Sequence, residues 1–196
     1  ARRIGGVQLL GDGNQVLRCT IRNTGQAGIE GGNRKLGFGK VGRNLTVSHN
    51  LITGIGLLTS DTGGFYINAQ GDPEWVNALV AYNTIAGLTT SGEYLSGIYF
   101  DNGTKGGLIH HNVVDAGGNT NVKRVIKLSG GSDFKVYNNT AIGGSITTIN
   151  AAGKNCIIRN NLVTGVIQGG SAVGNNQQEV IAAKHFINAS TVDFRL

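Results

Sequence analysis

The 196-residue chain has no methionine, one proline, one tryptophan and two cysteines, and charged residues make up only 14% of it. Each scarcity excludes something. Two cysteines cannot staple a disulfide-dependent fold, and with four histidines they form no recognisable zinc set. No apolar run approaches the ~18 residues that a membrane-spanning helix needs. The opening ARRIGGVQLL also lacks the long apolar segment and small-residue cleavage site of a signal peptide. No membrane partner is therefore expected. What is abundant points elsewhere: glycine occurs 33 times, and asparagine, threonine, valine and isoleucine are conspicuous. This favours strands punctuated by turns, and little of the chain reads as helix. The length suits one domain with a substantial core.

The chain repeats itself. NLTVSHNLI, ALVAYNTI, GLIHHNVV, FKVYNNTA and CIIRNNLV align on Asn50, Asn83, Asn112, Asn139 and Asn161, and QVLRCTI carries Cys19 at the same place. Each copy follows another short β-prone run: GVQLL, AGIEGG, GGFYINAQ, SGIYFDNG, RVIKLSG and TTINAAG. Two or three strands per repeat with no helix between them describe a coil that stacks strand on strand. About six coils at the ~4.8 Å strand spacing make a rod of roughly 29 Å. The recurring asparagine, at an inward corner, is placed to bond its copies above and below. His49 and His111 precede it as corner packing residues.

These segments resemble the right-handed parallel β-helix superfamily, the pectate-lyase-like solenoids, whose repeats carry such an asparagine ladder. The resemblance spans roughly residues 5–165 within a single domain, 1–196, leaving 166–196 as an irregular coil or tail. It implies an all-β solenoid, carbohydrate-active chemistry and an extracellular or periplasmic setting, but the superfamily also includes noncatalytic adhesins and spikes. The ending HFINASTVDFRL resembles a segment that normally runs on, which implies a longer solenoid or self-association through open ends.

Alternation along the first strand of each coil points Phe65, Ile98, Ile126 and Thr147 inward, with Ile67, Phe100, Leu128 and Ile149. The residues between them are expected to face solvent in two columns. One holds Gln8, Glu30, Tyr66, Tyr99, Lys127 and Thr148; the other holds Leu10, Gly32, Asn68, Asp101, Ser129 and Asn150. Loops flank this face: GNRKLGFGKVGRN and GDPEW with Trp75 on one side, and segments with Asp61, Glu93, Tyr94, Lys123 and Arg124 on the other. Together they predict a groove.

Two chemistries fit that groove. Elimination from a uronate needs a cation and a base: Lys127 or Tyr99 as base, Arg124 assisting, and Ca²⁺ on the hard oxygen ligands of Glu30, Asn68 and Asp101. Hydrolysis needs two carboxylates roughly 5 to 9.5 Å apart, and Asp61 with Asp101 are the pair. SDTGGFY followed by GIYFDNG resembles paired segments of β-helix glycoside hydrolases. The plainer reading makes Asp61 a turn-forming aspartate, and gives Asp101 an ion pair with Lys127 or a turn hydrogen bond with Asn102 and Gly103. Tyr66, Tyr99 and Trp75 offer rings for sugars to stack on, or simply shield the sheet. A net charge of +6 favours a polyanion, most readily an acidic polysaccharide. Nucleic acid is disfavoured, since no binding motif accompanies the charge. Cys19 and Cys156 both map inward, about 24 Å apart along the rod, as free buried thiols.

Overall fold

A computed structural model describes residues 5–33, 41–70, 74–89, 94–149, 154–169, 172–174 and 176–178. The expected loop residues Arg34, Lys35, Lys40 and Glu93, and Asn150, lie outside them. The chain winds as a right-handed parallel β-helix with three seven-stranded sheets. Among the described residues every strand pairs in parallel with the strand one coil away. The central coil shows the plan: Leu95–Asp101 in the first sheet, Thr104–His110 in the second and Val113–Asp115 in the third.

Left-handed residues recur at fixed distances from the ladder asparagine, one set at or near the start of the second-sheet strand and one at the turn into the third sheet. Six residues before it stand Gly13, Asn44, Asn77, Gly106, Asp133 and Asn155, all with φ between 44° and 75°. One residue before it stand Arg18, His49, Tyr82, His111, Asn138 and Asn160, with φ between 53° and 58°. The left-handed conformation costs most residues about 1–2 kcal/mol, and glycine, asparagine and aspartate least. Those three types fill the first corner. The second tolerates Tyr82 because its ring stacks on His49 and His111, each with centroids 4.9 Å away and planes 20° apart. His111 is therefore an exposed member of a ring stack rather than an inward packing residue.

Between the corners, alternation fills the interior. Leu45, Ala78, Phe134 and Cys156 occupy one inward row, and Val47, Val80, Ile109, Val136 and Ile158 the next. The first sheet contributes Phe65 and Phe100, whose rings lie 5.4 Å apart, and Phe134 meets Phe100 at 5.1 Å.

The ladder itself runs further than the repeat suggests. The backbone N–H groups of Cys19, Asn50, Asn83, Asn112, Asn139 and Asn161 each donate to the Oδ1 of the next member at 2.9–3.1 Å. The last acceptor is Asn176, only 15 residues beyond Asn161, so a seventh coil follows the six expected. Each side-chain amide bonds in two directions. Asn112 Nδ2, for example, donates to Asn139 Oδ1 at 3.0 Å and to the Val80 carbonyl at 2.8 Å.

Three further expectations are corrected. Between Arg124 and Ile126 the pairing slips by one residue, so Ile146 and not Thr147 enters the core, and Thr147 takes the place beside Lys127. Cys19 is exposed rather than inward and buried. Finally, the outer face of the first sheet is not open: Glu30, Tyr66, Asn68, Tyr99, Asp101 and Lys127 are all less than 5% exposed. Bulky side chains stacked at strand spacing cover one another, as the Tyr66 and Tyr99 rings do at 5.1 Å.

Asn112→Leu removes acceptors and donors from three buried partners at once, and a loss of roughly 2–4 kcal/mol is expected, measured by denaturant unfolding. In the native protein a maleimide should label Cys19 within minutes and reach Cys156 only after denaturation, as read by mass spectrometry.

Candidate functional site

The covered face of the first sheet narrows into a cleft of about 410 Å³ lined by Asp61, Tyr94, Tyr99, Asp101, Asn102 and Lys127, with Ser129 and Ile149. Its frame is set by register. Tyr66, Tyr99 and Lys127 are direct neighbours on adjacent strands, and Asn68 pairs with Asp101. Residues 33 and 28 positions apart in sequence thus become vertical neighbours. Asp61 stands just before the strand Thr62–Asn68, and Tyr94 just before Leu95–Asp101.

Asp101 is the hub. Its Oδ2 accepts hydrogen bonds from Tyr66 Oη at 3.2 Å and Asn68 Nδ2 at 3.0 Å, and Asn68 Nδ2 also reaches Tyr66 Oη at 3.0 Å. Lys127 Nζ donates to Tyr99 Oη at 2.8 Å and lies 4.0 Å from the Tyr99 ring centre and 4.8 Å from that of Tyr94. Tyr99 is in turn bonded to Asp101. A lysine, two tyrosines, an asparagine and an aspartate therefore form one polar assembly on a surface whose other face is hydrocarbon.

Its electrostatics follow from that setting. Burial is the largest influence on Asp101 and raises its carboxyl above the ordinary 3.8; the nearby Asp61 charge adds to the rise, while the Tyr99 hydrogen bond, Lys127 and Tyr66 oppose it. Burial, followed by the Asp101 and Asp61 charges, pushes both Tyr66 and Tyr99 far up. The two phenols hold their protons firmly and serve as donors.

Of the residues expected from sequence, Asp61, Tyr99, Asp101 and Lys127 line one cleft, while Tyr66 and Asn68 support Asp101 from behind. Glu30 is buried beside Tyr66, and Gln8 Nε2 donates to it at 3.4 Å. Arg124 opens the strand Arg124–Ser129 and does not line the cleft. Trp75 belongs to the second sheet, in Glu74–Ala81, and lines a different cleft. The residues proposed for Ca²⁺ do not fit that ion. Asn68 offers Asp101 its amide nitrogen, and its Oδ1 accepts the Gln70 N–H at 2.7 Å, so its oxygen is turned away. Tyr94 and Asn102 also line the cleft, and their position next to the site-bearing strand Leu95–Asp101 is the signal in the sequence that marks them.

A raised aspartate carboxyl destabilises the fold where it must ionise. The native state holds this proton more tightly than the unfolded chain does. Its contribution to stability is therefore fully present below the unfolded value, near 3.8, and is lost as pH rises through the raised folded value. Asp101→Asn should accordingly melt higher than the parent at pH 7, with the gap closing on acidification. Calorimetry across pH checks this.

Comparison of the chain with protein-family models, with curated proteins and with solved structures finds no significant match in any of the three.

Proposed function

We propose that the first-sheet cleft binds a sugar polymer and cleaves its glycosidic bonds by hydrolysis. The observation that carries this reading is a carboxyl, Asp101, buried and raised toward its protonated form beside a second carboxylate, Asp61, in one cleft. A glycosidic oxygen needs a proton as its bond to the anomeric carbon breaks, and Asp101 supplies it. Asp61 is the partner that activates water or takes the anomeric carbon itself. Two carboxyl groups in one cleft, one of them raised by burial, suit a division of labour between acid and base.

The groups around them suit a sugar. Tyr94, half exposed, offers a ring for a pyranose face, and Asn102 is an exposed amide at the rim. Lys127 is the one cation lining the cleft among the described residues, and it fits an acidic sugar such as a uronate. Elimination is the weaker reading of the same cleft, because of its two candidate bases Lys127 already donates from Nζ to Tyr99 Oη, which leaves Tyr99. Burial and the neighbouring carboxylates hold that phenol's proton too firmly for it to act so.

The expected outcome is release of reducing ends from a soluble uronate polymer without formation of unsaturated ends. Asp101→Asn should lower kcat by about 10²–10⁴-fold while circular dichroism stays unchanged. Unsaturated products would replace hydrolysis by elimination. Binding with neither product would make the cleft a recognition site only.

A further inference from the structure

The outer face of the second sheet carries a separate cleft of about 500 Å³, whose walls include Trp75, Leu79, Gly106, Leu108, Asp133 and Lys135. Nothing in the hydrolytic reading uses it. Its construction departs from the regular coil at one place. Trp75 pairs with Lys105 and Ala78 with Gly107, so the strand Glu74–Ala81 carries one extra residue opposite Gly106. Such a bulge re-aims the side chains around it.

Gly106 is what lets the indole lie there. A Cβ at this position would stand 3.0 Å from Trp75 Cε3, 3.2 Å from Cζ3 and 2.8 Å from Asn77 Oδ1, and the residue also has φ of 69°. The ring is thus seated against bare backbone, and the rest of it is open: Trp75 is 53% exposed. Leu79 and Leu108, paired across neighbouring strands, continue an apolar strip that ends at Lys135.

Beside the strip stands a carboxylate with its orientation fixed. Asp133 Oδ1 accepts from Asn155 Nδ2 at 2.9 Å, and Oδ2 accepts from the Ser132 hydroxyl. The lysines around it outnumber it. Lys135 lines the cleft, and the charges of Lys105 and Lys154 act on Asp133.

An indole with an open face, an aliphatic rim, one fixed hydroxyl acceptor and surplus positive charge describe a complement to an acidic pyranose. We propose that this second-sheet cleft is a binding site for a uronate residue of a polysaccharide, separate from the Asp61–Asp101 cleft. The sugar's C–H face lies on Trp75, a hydroxyl donates to Asp133, and the carboxylate faces Lys135 and Lys105. A nucleic-acid strand would share the stacking and the lysines but bring its phosphates against Asp133, so it is the weaker occupant. This site does not depend on hydrolysis in the first-sheet cleft, and it gives the rod a grip on the polymer at a second place.

Trp75 is the only tryptophan in the chain, so intrinsic indole emission reports on this cleft alone. The full chain is titrated with oligomers of galacturonate, of mannuronate and of glucuronate, with neutral cello- and xylo-oligomers, and with a single-stranded oligodeoxynucleotide. A saturable emission change with at least one uronate oligomer, weakened about tenfold in Lys135→Gln and untouched in Asp101→Asn, is expected. Emission unmoved by every uronate, moved equally by neutral sugars, moved only by the oligonucleotide, or indifferent to Lys135→Gln overturns the assignment. Because the reading is fluorescence and not product, its failure is distinct from failure of the hydrolysis assay.

Discussion

One hydrogen bond, repeated, holds the whole arrangement: a backbone N–H at the turn between the second and third sheets donating to the asparagine oxygen of the next coil. The turn brings amides into the interior where no strand can pair with them, and an unpaired buried amide costs about 1–3 kcal/mol. The asparagine meets that cost, and it does so only if every coil is in register with its neighbours. Each link therefore fixes the height of the next coil, and the columns of side chains on all three faces inherit that alignment.

The candidate site is a product of the alignment rather than of any local motif. Tyr66, Tyr99 and Lys127 come from three separate coils and meet because their strands are paired residue for residue. Placing ionisable groups on a face that becomes covered is unfavourable unless they satisfy one another. Here the Lys127–Tyr99 and Tyr66–Asp101 bonds meet that demand. What is left over is a carboxyl raised by burial beside a second carboxylate, the feature on which the proposed hydrolysis draws.

Much of this was legible in the amino acids because one residue type marks each coil. The asparagine spacing located the ladder from Asn50 to Asn161, and period-two alternation then put Tyr99, Asp101 and Lys127 on one face. The first corner was harder to see, since glycine, asparagine and aspartate share a permitted conformation and not an identity. Alternation also names a face without saying whether it is covered, so Tyr66 and Lys127 were expected in solvent and lie buried. It cannot register a slipped pairing either, and the shift after Arg124 exchanged Thr147 for Ile146 in the core. Trp75 was assigned to the wrong cleft because a short segment after a loop looks like part of the loop, whereas it starts the longest second-sheet strand. Asn176 was missed because 15 residues is too short an interval for a pattern learned from copies 22 to 33 apart.

The constant six-residue arm from each left-handed corner to its asparagine divides the molecule into parts with unequal freedom to change length. Adding one residue within that arm would swing the asparagine to the wrong side of its strand and sever links both above and below. Adding many between the first and second sheets, or after the third, lengthens only a surface excursion. Variation in length in a chain built this way accumulates by insertion along two seams, while the second-sheet arm stays the same length from coil to coil.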